Sequence, residues 1–220
     1  IGCQGGRRPG VANDQALGTS IAVEFLHKAL EDEHQTMEGD VVVVGGGNVA
    51  VDCAKTAKRF GAAGVCMVCL EDRATMPASG NEIAETLEEG IDIQNSWGPK
   101  ELKVDEQGRV SAIVFKKCLR TIEPETGRFA PIYDENETME LKADHVVFAI
   151  GQAIQWGDLL NGTKVEFHRG NYPVADPLTY QTAEPDIFVG GDVYHGPKFA
   201  IDAIEEGKCA AESLHRYVHK

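Results

Sequence analysis

Gly45-x-Gly47-x-x-Ala50 follows four consecutive valines, Val41 to Val44, and opens a segment in which Val49, Cys53, Ala57 and Phe60 recur at helical spacing. Glycine at the first position allows a tight turn, glycine at the second lets backbone approach a phosphate closely, and alanine at the third lets the helix sit close to the strand. The free N–H groups and positive dipole end of a helix start hold an anion without a basic cluster. Gly45, Gly46, Gly47, Asn48, Val49 and Ala50 are therefore expected to cradle a pyrophosphate. At the end of the following strand stands Glu71, with Asp72 beside it. Carboxylates at that point accept hydrogen bonds from the adenosine ribose hydroxyls and repel a 2'-phosphate. The spacing thus predicts an adenine dinucleotide site, with NADH favoured over NADPH; the neighbouring Arg73 is the feature that speaks for NADPH. The bland alternatives are an ordinary turn for the glycines and a solvated strand-end carboxylate for Glu71.

A second constellation is Phe188-Val189-Gly190-Gly191-Asp192, followed by Gly196-Pro197 and a helix from about Phe199. An acid just after a strand can take a sugar-like hydroxyl, and helix-start amides can face an electron-rich carbonyl or ring edge. Taken bare, Asp192 reads equally well as a turn or capping residue. Cys66 and Cys69 have the spacing of a redox or metal pair, yet lie in a segment that reads as a strand. Residues i and i+3 of a strand face opposite sides, so the two thiols are expected to be apart and structural. His215 and His219 are one helical turn apart but lack a third ligand, so no metal site and no catalytic side chain are nominated.

These residues need a scaffold. Val41 to Val44 has the unbroken β-branched pattern of a parallel strand buried on both faces. The helix after the glycines ends at Gly61, and Val65 to Leu70 supplies the second strand of a βαβ unit. A short helix is expected within Ser20 to Leu30, and another over Asn81 to Glu89 with Ile83 and Leu87 inward and Gly90 as its stop. Ile91 to Ile93 resumes the sheet. From Leu102 the period changes to two, with Val110, Ala112 and Val114 alternating, which predicts an antiparallel meander. Thr121 to Thr138, with Pro124, Gly127 and Pro131, reads as a long connection. His145 to Ile150 is a buried strand ending at Gly151, Asp186 to Val189 a short strand, and Phe199 to Tyr217 a helix with Ile201, Ile204, Ala211 and Leu214 on one side. The expected fold class is α/β: a Rossmann-like dinucleotide-binding domain with a parallel sheet and an antiparallel β-meander, flanked by part of a second domain.

The chain has 220 residues, 42% hydrophobic and 25% charged, the composition of a globular protein rather than a disordered or fibrous one. No run of about 18 to 20 apolar residues and no signal segment is present, so the sequence reads as cytoplasmic with no membrane partner. A net charge of −14 opposes binding to nucleic acid. Six thinly spread cysteines suit reduced thiols better than a disulfide framework.

Val41 to Asp52, Met76-Pro77-Ala78 with Glu82, Glu88-Glu89-Gly90-Ile91, Ala149-Ile150-Gly151 and Gly191-Asp192 followed by Ala203-Ile204 and Gly207 occur together and in order. In this the sequence resembles the flavoprotein family of the bacterial glutamate synthase small subunit and the flavin-containing half of dihydropyrimidine dehydrogenase. The resemblance covers nearly the whole chain. It implies an NAD(P)H-binding domain over residues 38–148 inserted into an FAD-binding domain, whose first segment ends within residues 1–37 and whose second spans 149–220. It further implies that Asp192 holds the FAD ribityl chain, that Phe199 and Ala200 start the helix near the flavin pyrimidine, and that Ile150 and Gly151 join the cofactor-binding set. The resemblance implies a glycine-rich FAD motif upstream of Ile1, which in the family is usually preceded by cysteine clusters for iron–sulfur centres, and a redox partner subunit or domain. NADPH-using members often carry paired arginines at the end of the second strand; Leu70-Glu71 stands there in this chain. The function implied is hydride transfer from NADH to FAD and onward electron transfer, the rival being a nucleotide-binding module without turnover.

Overall fold

A computed structural model describes residues 1–32 and 34–219. In chain order its elements begin with β1 (Gly5–Gly6), β2 (Thr19–Ile21), α1 (Ala22–Glu31), β3 (Asp40–Val44), α2 (Asn48–Arg59), β4 (Gly64–Cys69), α3 (Gly80–Glu88) and β5 (Asp92–Asn95). There follow β6 (Trp97–Val104), β7 (Val110–Ile122), β8 (Phe129–Lys142), β9 (His145–Phe148), β10 (Gln152–Ala153), α4 (Asp192–His195) and α5 (Ala200–Val218). Two compact units result: Gly6–Gly151, and Ile1–Gly5 with the chain from Gln152 onward. No helix among the described residues is long and apolar enough to cross a membrane.

The larger unit is built on a five-stranded sheet in the order β2-β9-β3-β4-β5, with every neighbouring pair parallel. Side chains alternate across a strand, and the valines of β3 divide accordingly. Val41 and Val43 join Ala50, Cys53, Ala54 and Ala57 of α2 in one core cluster. Val42 and Val44 join Leu102, Ile113 and Phe115 of the antiparallel sheet β6-β7-β8 in another. Helices thus cover one face and a meander the other, which is why β3 carries no polar residue between Val41 and Val44. Small residues at 50, 53, 54 and 57, all fully buried, set α2 down close to the sheet. The same alternation parts Cys69, in the helix-side cluster, from Cys66, which packs against the meander-side cluster.

Three sequence expectations need correction in detail. In α3 the inward residues are Ile83 and Thr86, while Leu87 is 47% exposed. Thr86 is tolerated inside because its hydroxyl donates to the Glu82 carbonyl at 2.6 Å. The long connection expected over residues 121–138 is mostly the two arms of a hairpin, closed by a short turn in which Gly127 N–H donates to Glu123 O. Pro131 hides this: it sits on an edge strand at a register shift, where its missing N–H costs no ladder bond. The strand expected at 186–189 reduces to one bridge, Gln181 with Phe188, because residues 184–187 form a turn with Ile187 N–H on Glu184 O. Strand β2 and helix α1 belong to the larger unit.

Helices α2 and α3 are clamped by Lys55, itself only 7% exposed, whose ammonium lies 2.7 Å from Glu85 and 2.9 Å from Glu82. Hydrogen bonds to Glu85 and Glu82 raise the lysine pKa, and the bond to Lys55 lowers that of Glu85. A raised lysine pKa gives stability that is full below its ordinary 10.5 and is lost as pH rises through the folded value. A depressed glutamate pKa gives stability that is full above its ordinary 4.5 and is lost as pH falls through the folded value. The clamp therefore contributes a plateau between those limits. Lys55→Met, which keeps the packed stem, is expected to lower the thermal midpoint by a few degrees at neutral pH. The difference from the unsubstituted protein should shrink in acid, read by circular dichroism melts across pH.

The smaller unit carries β10 and gathers Cys3, Ile154, Val189 and Val193 into its own core with Trp156, Tyr172 and Tyr194 against it. Helix α5 has the expected periodicity, but its apolar side is open: Ile201 is 74% and Ile204 57% exposed. Its buried member is Glu206.

Candidate functional site

The glycine turn sits at the carboxyl end of β3, between two neighbouring strands. Gly45 has φ +147, a conformation side chains rarely adopt, and its N–H donates to Val68 O at 2.8 Å. A Cβ there would fall 2.9 Å from the Ala149 carbonyl carbon and meet its oxygen. At Gly46 a Cβ would meet the Cys69 Cβ at 2.9 Å and Glu71 Oε2 at 3.1 Å. Gly47, the N-cap of α2, faces open space. The turn is thus closed underneath and open at Gly47; the helix bonds begin with Ala50 N–H on Gly47 O at 2.9 Å, which leaves the amides of Asn48 and Val49 without a carbonyl inside the helix. Ala50 is fully buried, as close packing requires, and Val49 packs against the helix-side core.

Glu71 brings its carboxylate beside the turn from the end of β4. Its carbonyl accepts from Ser96 N–H at 3.0 Å and from Asn95 Nδ2 at 3.2 Å. Asp72 is engaged locally: its Oδ1 accepts from Ala74 N–H, Thr75 N–H and the Thr75 hydroxyl at 2.8 to 2.9 Å. Those bonds hold its carboxyl below the ordinary range. Glu71 is the carboxylate nearer the turn, and Arg73 lies exposed beyond it.

Two connections were invisible in the spacing. Ala78 N–H donates to Gly46 O at 3.0 Å, and Asn48 Oδ1 accepts from Ser79 N–H at 2.9 Å. Met76 and Ala78 are both buried in the helix-side core, so Met76-Pro77-Ala78 is a strap fastened to the glycine turn. The quoted tripeptide was the one signal available; Ser79 and Asn95 carried none. Burial pushes the Cys69 thiol up to about 12 and Cys66 to about 11, which leaves both protonated at neutral pH.

In the smaller unit, Gly191 has φ +73 and is the N-cap of α4. Asp192 is half-buried; its carbonyl accepts from Gly196 N–H at 3.1 Å and meets Cys3 Sγ at 3.5 Å. A Cβ on Gly2 would come 3.9 Å from its Oδ2. Glu206, missed in sequence, holds this turn: Oε2 accepts from Gly191 N–H at 2.8 Å, and Oε1 lies 2.6 Å from His195 Nδ1 and 3.7 Å from Lys198 Nζ. Phe199 and Ala200 are exposed at the start of α5, where Asp202 accepts from the Phe199 N–H at 3.2 Å. In the larger unit, Gly151 has φ +116 and accepts from Arg7 N–H at 3.1 Å, while Ile150 packs against the meander-side core. His219 Nδ1 meets the carbonyl of His215, and no group of three or more metal-ligating side chains occurs among the described residues.

Comparison with known proteins extends this geometry. The chain is 36% identical to the NADP(+)-dependent formate dehydrogenase subunit beta of Moorella thermoacetica, over all of this chain and 31% of that protein. It is 32% identical to the glutamate synthase [NADPH] small chain of Escherichia coli, over 97% of this chain and 48% of that one. The chain therefore spans less than half the length of either relative. Mycobacterium tuberculosis FprA in complex with NADPH has the same fold at a TM-score of 0.76 and 15% identity, over all of this chain and 62% of that one. Residues 4–207 match the family described as pyridine nucleotide-disulphide oxidoreductase, and to that family the chain belongs.

Proposed function

We propose that Gly6–Gly151 binds NADH and that the protein carrying this chain is a flavin oxidoreductase. The observation that carries the reading is the convergence of an open helix start at Gly47 with the Glu71 carboxylate beside Gly46. A pyrophosphate suits the first, and a ribose bearing free hydroxyls suits the second. Both relatives carry NADP in their names, and Glu71 is what argues for NADH here. The smaller unit is proposed to supply part of the FAD site of the longer protein, with Asp192 taking a ribityl hydroxyl and Phe199 and Ala200 near the ring.

When bound, the nicotinamide supplies a hydride and the flavin accepts it. The chain's residues bind, orient and exclude water; no side chain has to move a proton. Since one relative is named as a subunit and the other as a small chain, a redox partner is proposed to take the electrons onward, through iron–sulfur centres if these lie elsewhere in the protein.

Calorimetric titration is expected to give saturable NADH binding, tighter than NADPH. Glu71→Gln is expected to weaken NADH about tenfold, the size of a lost charge-assisted hydrogen bond, and to narrow the preference. No saturable heat would sink the reading, and tighter NADPH binding would sink the preference. Flavin absorbance bleached by NADH in the longer protein supports the enzyme; colourless longer protein that still binds NADH leaves a nucleotide-binding module.

A further inference from the structure

We infer that Asn95 is a positioning residue for nucleotide selection, fixing the Glu71 peptide together with Cys69 so that the Glu71 carboxylate stays aimed beside the glycine turn. This rests on the NADH reading above. Cys69 and Asn95 are the last paired residues of β4 and β5. Glu71 lies two residues beyond that pair, where the backbone bond from Ser96 N–H at 3.0 Å carries on from the ladder.

The Asn95 side chain reinforces that single backbone bond. Its Nδ2 donates to Glu71 O at 3.2 Å and to Cys69 Sγ at 3.2 Å, while the Cys69 thiol approaches the same carbonyl at 3.6 Å. Ser96 N–H completes the set at 3.0 Å. Ser96 itself has φ +67, an uncommon conformation for serine, and its carbonyl is held by Cys118 N–H of β7 at 2.8 Å. One carbonyl therefore receives donors from three residues, Cys69 and Asn95 at the ends of β4 and β5 and Ser96 just beyond β5. On its other side Cys69 lies against Gly46, the position that Glu71 Oε2 also approaches. The carboxamide thus connects the ribose-facing residue to the underside of the phosphate turn through a single thiol, kept neutral by burial.

The chemistry demands a donor at this position. Asparagine's amide faces two acceptors, whereas an aspartate of the same shape would face them with lone pairs and set a second negative charge near Glu71. A role confined to holding the sheet together would weaken NADH and NADPH alike. Positioning Glu71 affects the ligand that uses its carboxylate.

The test is a calorimetric comparison of NADH and NADPH on the 220-residue chain and its variants. Asn95→Ala is expected to weaken NADH about fivefold, one net hydrogen bond, with NADPH within about twofold of its original affinity. Asn95→Asp, matched in shape should the alanine variant fail to fold, is expected to weaken NADH about tenfold. In a Glu71→Gln background, Asn95→Ala is expected to cost NADH nothing further. Equal losses for both nucleotides, no loss, or full additivity with Glu71→Gln overturns the inference while the NADH reading stands. Absence of saturable NADH binding by the unsubstituted chain overturns both.

Discussion

Gly45→Ala is expected to destabilise the larger unit by about 4 kcal/mol, from a strained backbone and an overpacked contact together. The left-handed φ of +147 is hostile to any side chain, and the added methyl would run into the Ala149 carbonyl at the end of a neighbouring strand. Relief would require β3 and β9 to part where Ala149 N–H donates to Val44 O at 2.8 Å. The predicted fall in thermal midpoint is about 10 °C. NADH binding should vanish even in the cold, where the fold survives, because the turn would no longer present its amides. A contrast is available two residues on. Gly47 has φ −93 and open space where a Cβ would go, so Gly47→Ala is expected to fold nearly as well and lose nucleotide by blocking its approach. Melting curves with paired NADH titrations separate the two; equal melting temperatures for both variants would contradict the assignment of Gly45 to the closed side.

Glu206→Ala is expected to cost the smaller unit about 3 kcal/mol, the range for breaking a buried, hydrogen-bonded charge network. The loss has identifiable parts. Gly191 N–H, buried and satisfied by Glu206 Oε2, becomes an orphan, and His195 and Lys198 lose their shared carboxylate. A Cβ on Gly190 would already meet the Glu206 carbonyl at 3.1 Å, so α5 lies too close for the turn to relax toward it. Glu206→Gln keeps an acceptor for Gly191 and should lose roughly half as much. Amide hydrogen exchange at Gly191 reads this directly: fast in the alanine variant, intermediate in the glutamine variant. Unchanged protection in both would remove Glu206 from its role at the Asp192 turn.

The contrast between Gly45 and Glu206 marks what could be read in advance. The places of Gly45, Gly47, Ala50 and Glu71 in the strand, turn and helix were legible because they follow from local geometry at fixed spacing, and the buried strands and α2 followed from unbroken or 3.6-period apolar runs. The β7–β8 hairpin was hidden because an exposed edge strand owes its order to its partner and tolerates a proline. Leu87 was misjudged because a threonine can go inside once its hydroxyl bonds back to the preceding turn. Glu206 and Asn95 were illegible for a deeper reason: each is polar, unremarkable in its neighbourhood, and acts on backbone far away in sequence. Which polar side chain finds a distant amide or carbonyl is decided by tertiary contact.

The two-sided burial of β3 has a consequence for how this chain finds its register. In a sheet with one wet face, a slip of one residue throws apolar side chains into water and is punished at once. Sliding Val41 to Val44 by one place exchanges valine for valine on both faces, so hydrophobicity hardly discriminates. The ends must do it. Asp40 N–H is fastened to Asp144 Oδ2 at 2.8 Å, and the Asp40 carboxylate lies 2.6 Å from where a Cβ on Gly64 would stand. Gly45 fills the only shape allowed at the other end. A strand whose middle is indifferent is thus indexed by an aspartate at one end and a glycine at the other, and the glycine turn doubles as the mark against which the sheet is aligned.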